Sequence, residues 1–180
     1  MANVMTDQAD NINKPVNPFW GSIASKFKFA RAIDNAEVLK LCPIFTHLSN
    51  KELKKVSALI YERSYQAGEY LFEKGQPGTA MFIIKTGLVK VIVPGHESEA
   101  ELATIYPEDF LGELALLDDT PRSASAKASE KTEALAFFRE DLSELVDTYP
   151  AIAVKIMRDL AIIIGHRLKA SNELLMSRGQ

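Results

Sequence analysis

Between Ser57 and Phe138 the sequence predicts a mainly β fold, a sandwich or jelly roll, with helices on both flanks. Three observations predict it. Seven runs of strand length alternate or stay apolar, glycines at Gly68, Gly75, Gly78 and Gly87 punctuate them, and the text on either side changes to helical spacing. Short strands joined by tight turns bury their apolar faces as two antiparallel layers.

The elements follow in order. Residues 1–18 are rich in Asn, Asp and Pro with few large apolar side chains, the composition of a mobile arm. From Phe19 to Ile33 the chain is aromatic and basic, with no acid until Asp34; Phe19, Ile23, Phe27 and Ala30 fall at near-helical spacing. Such an amphipathic helix can pack on its own barrel, the preferred reading, or touch an acidic membrane surface or a partner protein. Residues 1–33 are therefore set apart from a domain spanning 34–180. Asp34 is placed to cap a helix through Leu39, and Ser49 or Asn50 to cap another beginning Lys51-Glu52-Leu53.

The strands are expected at residues 60–65, 70–72, 80–84, 88–93, 100–105, 123–128 and 133–138, where β-branched, aromatic and alanine residues concentrate. The four glycines between them mark turns expected to need positive φ. Arg139 to Val146 then reads as a short helix ending before Tyr149-Pro150, and Pro150 opens a long one reaching about Met176. Two apolar stripes run along the long helix: Val154, Met157, Ala161, Ile164, Leu168, Ser171 and Leu175 on one, Ile152, Ile156, Leu160 and Ile163 on the other. They lie roughly 120° apart at 100° per residue. One surface stripe needs only about 100°, so the helix is expected to bury against two bodies, its own barrel and the same helix of a second subunit; the competing reading is one broad face under the short helix and the N-terminal segment.

Composition bounds the function classes. A chain of 180 residues is long enough for one domain with a sizeable core, and 47% hydrophobic with 25% charged residues excludes a disordered or membrane class. A formal charge of -3 argues against a broad nucleic-acid surface. Cys42 has no partner for a disulfide and sits between Leu41 and Pro43, as a buried small hydrophobe in a reducing compartment would. No leader-like segment opens the chain and no apolar run approaches the ~18 residues of a membrane span, so a cytoplasmic location is expected. His47, His96 and His166 are too scattered for a metal site, and no catalytic constellation is present, so the expectation is a protein that is not an enzyme and needs no cofactor.

The chemistry concentrates in Phe110 to Ala126. Gly112 and Glu113 open a short apolar helical turn, Gly112-Glu113-Leu114-Ala115-Leu116-Leu117, and a turn signal with a guanidinium follows at Asp118-Asp119-Thr120-Pro121-Arg122. The first amides of a helical turn lack intrahelical partners and attract an anion. Gly112 lets the backbone approach it, and Arg122 adds a charge with two parallel donors suited to phosphate. Glu113 would repel an anion unless it faces a sugar hydroxyl.

The whole run, from Gly112-Glu113-Leu114-Ala115-Leu116-Leu117 through Pro121-Arg122-Ser123-Ala124 to a small-residue strand, resembles the phosphate-binding cassette of the cyclic nucleotide-binding domain family. The strand-end runs Lys74-Gly75-Gln76-Pro77-Gly78 and Lys85-Thr86-Gly87-Leu88-Val89 resemble it too, as does the entry Pro43-Ile44-Phe45; the likeness covers about Asn35 to Leu175. It implies a double-stranded β-helix, or jelly roll, with N-terminal helices and a long C-terminal lid helix. It also implies a cyclic nucleotide as ligand, with amides from Gly112 through Glu113 and Leu114 to Ala115 and the Arg122 side chain on the phosphate, Glu113 on the ribose, and Ser123 and Ala124 completing the cradle. Val91 and Leu102 would wall the pocket, and Ser171 and Asn172 of the long helix would reach the base. The cassette is closest to that of the kinase regulatory subunits, which favours cyclic AMP over cyclic GMP. One departure stands out: Glu108 occupies a position where the family usually has glycine, so the turn before the cassette is expected to be strained.

The function implied is a regulatory sensor whose C-terminal helix moves on ligand binding and signals to a protein effector, as a homodimer through that helix, with no DNA binding by this chain. The other classes are an interaction module that keeps the fold without the ligand, and the sensor part of a larger transcription regulator or effector.

Overall fold

The computed structural model describes residues 34–95 and 99–178. The arm and amphipathic helix expected over residues 1–33, and His96, lie outside the described residues.

Helix α1 (Asn35–Leu41) starts where Asp34 accepts the Ala36 N–H on its side chain. A 3-10 turn, Pro43–Phe45, leads to α2 (Asn50–Ser57). Of the two residues that could cap α2, Ser49 does so, in a reciprocal capping box with Glu52.

Eight strands follow: β1 (Tyr61–Tyr65), β2 (Tyr70–Phe72), β3 (Ala80–Thr86), β4 (Val89–Pro94), β5 (Glu99–Ile105), β6 (Phe110–Leu111), β7 (Ser125–Ala128) and β8 (Thr132–Phe138). They form two four-stranded sheets, β1-β8-β3-β6 and β2-β7-β4-β5, with every pairing antiparallel. This is the expected jelly roll. Strand β6 is not among the strands the sequence predicts, because a run of two residues carries no periodicity.

Strands β3 and β8 are apolar on both faces for a reason the pairing makes plain. Met81, Ile83, Leu135 and Phe137 point to a cluster with the helices, while Phe82, Ile84, Ala134 and Ala136 point into the barrel. Their register sets Phe82 opposite Ala136 and Ile83 opposite Leu135, a large ring against a methyl within the barrel. Burial on both sides replaces alternation with a continuous apolar run.

Gly68, Gly75 and Gly87 have positive φ as expected. Gly78 does not, and the reason for glycine there is packing. A Cβ at Gly78 would fall 2.9 Å from the Ala115 Cβ, so a side chain would push on the turn that opens the candidate site.

Helix α3 (Arg139–Thr148) and helix α4 (Pro150–Arg178) complete the chain. The Phe138 N–H donates to the Asp141 carboxylate at 3.2 Å, holding the entry to α3. The two stripes of α4 separate cleanly. Ile152, Ile156 and Leu160 are buried in one cluster shared with α1, the 3-10 turn, α2, α3 and the β3–β8 face, with Ile163 packed at the edge. Among the described residues Val154, Leu168 and Leu175 are 65%, 62% and 69% exposed, so the short helix does not cover the second stripe; the N-terminal segment that the broad-face reading also invokes lies outside the described residues. Two polar contacts fix the buried half of α4. Lys155 Nζ donates to both oxygens of Glu52 at 2.8 Å, and His47 Nδ1 lies 2.9 Å from both oxygens of the buried Asp159. No described helix is long and apolar enough to cross a membrane.

Candidate functional site

The cassette begins where β6 ends. Gly112 takes φ +76°, in the left-handed region, and turns the chain into a 3-10 turn, Glu113–Leu116. Its lack of a side chain serves a second end. A Cβ there would fall 2.6 Å from Arg122 Nη1, so any larger residue would displace the guanidinium as well as strain the backbone. The first donor inside the turn is Ala115, whose N–H reaches the Gly112 carbonyl at 3.2 Å. The Ala115 amide is thus engaged within the turn, while the first amides of such a turn have no partner inside it.

Arg122 is only 9% exposed. One of its terminal nitrogens donates to the Gly112 carbonyl at 3.2 Å and the other to the Ala80 carbonyl at 2.5 Å, while its carbon centre stacks 4.0 Å from the centre of the Phe72 ring. Its Nε is buried and has no hydrogen-bond partner. Among the described residues no carboxylate lies within ion-pair distance of it. Burial lowers its pKa and the charge of nearby Glu113 opposes that shift, yet a guanidinium stays protonated. The result is a desolvated cation held mainly by carbonyl dipoles, an arrangement that favours an arriving anion.

Glu113, 8% exposed, faces the same cavity. Its Oε1 pairs with Nη1 of Arg167, which reaches over from α4, stacks above the Phe110 ring and donates to the Phe110 carbonyl at 3.3 Å. The cavity has a volume of about 300 Å³. Gly112, Glu113, Leu114, Ala115, Arg122, Ser123 and Ala124 line it together, as do Val91 and Leu102, so the residues expected at the site converge on one space. Its charged lining is two guanidinium groups and one carboxylate, a single net positive charge.

The wall shows how local pairing shapes a site. Ala103 pairs with Val91, but the next pair is Ile92 with Glu101, so Leu102 is the extra residue of a β-bulge. In regular strand, adjacent residues point to opposite faces; the bulge lets both Leu102 and Ala103 line the cavity.

Residues 62–149 match the sequence family described as the cyclic nucleotide-binding domain. That stretch belongs to the cyclic nucleotide-binding domain family. The cyclic AMP receptor protein of Thermus thermophilus is 34% identical over 137 residues, 74% of this chain and 61% of that protein. A regulatory subunit of cAMP-dependent protein kinase from Emericella nidulans is 30% identical over 108 residues, 60% of this chain and 26% of its own length. The chain thus spans from about a quarter to about three fifths of these relatives. Among solved structures, the catabolite activator protein of Thermus thermophilus superposes with a TM-score of 0.68 at 32% identity, over 76% of this chain and 63% of that one. A cyclic nucleotide-binding domain from Methylobacillus flagellatus gives 0.70 at 24% identity over 79% and 81%, which speaks for the fold alone.

Two of the expected residues stand apart from the cavity. Ser171 and Asn172 are exposed on α4 and absent from the cavity lining. The helix instead enters the site with Arg167, one turn earlier than Ser171. Arg167 lies four residues before Ser171 on the same helix, and helical spacing alone could not say which turn would face the cassette. Phe72, whose ring faces the Arg122 guanidinium, carries no separate signal in the sequence, since an aromatic in a three-residue strand reads simply as core.

Proposed function

We propose that this chain is a cyclic nucleotide sensor, with cyclic AMP as the ligand, acting through the position of α4. The observation that carries this reading is Arg122, a buried guanidinium with an unpartnered Nε, facing a cavity whose net charge is +1. A cyclic phosphodiester carries a single negative charge, matching that balance. Its phosphate oxygens suit the Arg122 side chain and the amides of Glu113 and Leu114, with Ser123 and Ala124 closing the cradle.

Glu113 is the acceptor for the ribose hydroxyl. Because Arg167 already holds the Glu113 carboxylate, the sugar must share or displace that contact, and the ligand thereby bears directly on α4. A ligand that meets α4 differently in two arrangements shifts their populations. The exposed stripe through Val154, Met157 and Leu168 supports a homodimer along α4, and a protein effector or a further domain would read the outcome.

Cyclic AMP is favoured by the likeness of the cassette to that of the kinase regulatory subunits. Relatives include both a cAMP-dependent regulatory subunit and cGMP-dependent kinases, so calorimetric titration with each nucleotide decides the matter. The expectation is cyclic AMP binding with Kd on the order of micromolar, weakened about 50-fold or more in Arg122→Ala. No heat from either nucleotide would instead assign the chain to interaction modules that keep the fold without the ligand.

A further inference from the structure

We propose that Arg139, outside the cavity, is a positioning residue for the nucleotide site, clamping the loop that carries Thr120 and Pro121 into it; this rests on the sensor reading above. The loop from Leu117 to Pro121 has every residue exposed, so no buried side chain fastens it. Segments with few buried contacts open locally at little cost. Yet Thr120 and Pro121 line the cavity, and Arg122 follows them directly.

The loop's near side is fastened to the β2–β3 connection. Pro121 bridges to Pro77, the Arg122 N–H donates to the Gln76 carbonyl at 2.9 Å, and the Gly75 N–H donates to the Arg122 carbonyl at 2.8 Å. Its tip is folded on itself, the Thr120 amide and hydroxyl both donating to the Asp118 carboxylate, which lowers the Asp118 pKa. Its start is tied to the turn before it, the Leu117 and Asp118 N–H groups donating to the Leu114 carbonyl at 2.9 and 3.2 Å, but none of these contacts ties Asp118 and Asp119 to the corner where β8 meets α3.

Arg139 does. Its Nη1 donates to the Asp118 carbonyl and pairs with the Asp119 carboxylate. Arg139 itself is fixed at the first position of α3, with its N–H donating to the Thr79 carbonyl at 2.9 Å. The next residue is Ala80, whose carbonyl holds Arg122. One rigid corner, where β3 meets the end of β8, therefore orients both Arg122 and the loop before it. An exposed ion pair such as Arg139 with Asp119 contributes little to global stability, so its consequence should be local.

The test is calorimetric titration with cyclic AMP alongside thermal melting, for the full chain and the variants Arg139→Gln, Arg139→Lys, Asp119→Asn and the Arg139→Gln/Asp119→Asn double. Arg139→Gln is expected to weaken binding about five- to tenfold with the melting temperature shifted by less than about 2 °C. Arg139→Lys should recover most of the affinity, Asp119→Asn should lose part of it, and the double variant should bind no more weakly than Arg139→Gln alone, because both changes break one clamp. Unchanged affinity in Arg139→Gln, with wild-type binding intact, overturns the clamp alone. A loss matched by a fall in melting temperature and not rescued by lysine overturns it too, as a folding effect. Failure of the wild type to bind cyclic AMP overturns the cyclic AMP sensor reading and the clamp with it.

Discussion

At the scale of single residues, the sharpest conflict between side chain and backbone is Glu108. It takes φ +74°, the one non-glycine residue with positive φ among those described. Its turn is pinned on both sides: the Glu108 N–H donates to the Ile84 carbonyl at 2.8 Å, the Ile84 N–H to the Asp109 carbonyl at 2.9 Å, and the Asp109 N–H to the Tyr106 carbonyl at 3.1 Å. A left-handed conformation costs a residue with a Cβ about 1–2 kcal/mol, partly offset in any exchange by the greater freedom glycine has in the unfolded chain. Glu108→Gly is therefore expected to stabilise the fold by about 0.5–1 kcal/mol, raising the melting temperature by a few degrees; a lowered melting temperature would show that the glutamate side chain contributes more than its backbone costs. This strain was legible beforehand, since glutamate stood where a glycine was expected. Gly112, Glu113 and Arg122 were legible too, because they lie within eleven consecutive residues and each has a distinct chemical task. Arg167 and Phe72 were not, because they come to the site from α4 and β2 and only the fold brings them there. Cys42 behaves as its neighbours suggested: burial pushes its thiol up to about 12, leaving it a small apolar side chain.

At the scale of elements, α4 is two helices in one. Its first half is core, with Ile152, Ala153, Ile156 and Leu160 buried and Lys155 and Asp159 held by Glu52 and His47. Beyond Ile163 the helix is mostly exposed, and Arg167 is its contact with the cassette. The stripes on α4 were legible because one face of a helix repeats every three to four residues; which stripe met the barrel was not, since both are apolar. The Lys155 hydrogen bond, with help from Ser49, holds the Glu52 carboxyl down at about 2. A carboxyl lowered on folding stabilises the native state above its unfolded pKa, and that contribution fades as pH falls through the folded value. The window lies between about pH 4.5 and 2. Thermal melting across it should therefore fall more steeply for wild type than for Glu52→Gln, with the two curves converging near pH 2; parallel curves would mean that Glu52 does not anchor α4. The turn at Gly78 teaches the opposite lesson about legibility, because a glycine needed for close approach to Ala115 looks the same in sequence as one needed for positive φ.

At the scale of the whole molecule, a jelly roll of two antiparallel sheets holds the cavity against one long helix; the strand pattern foresaw the sheets, and the resemblance of the cassette foresaw the cavity and the helix beside it. What pattern could not supply was the bulge that sets Leu102 beside Ala103 on the cavity wall, since a slipped pair leaves the alternation of the strand nearly intact. The proposed dimer belongs to the same scale, because Val154, Met157 and Leu168 form an apolar line that is exposed among the described residues. Light scattering should report twice the chain mass for wild type and a single chain mass for Leu168→Glu, whose buried carboxylates would oppose each other at a paired seam. Equal masses for the two would remove α4 as the interface. The central claim is that Arg122, the Glu113 and Leu114 amides and the Glu113 carboxylate share one ligand. A crystal structure grown with cyclic AMP tests it most directly. The account predicts the cyclic phosphate against the Arg122 guanidinium, the ribose hydroxyl on Glu113, and Arg167 moved from its present partner or sharing it; a nucleotide bound elsewhere, or a cavity left empty at saturating ligand, would contradict it.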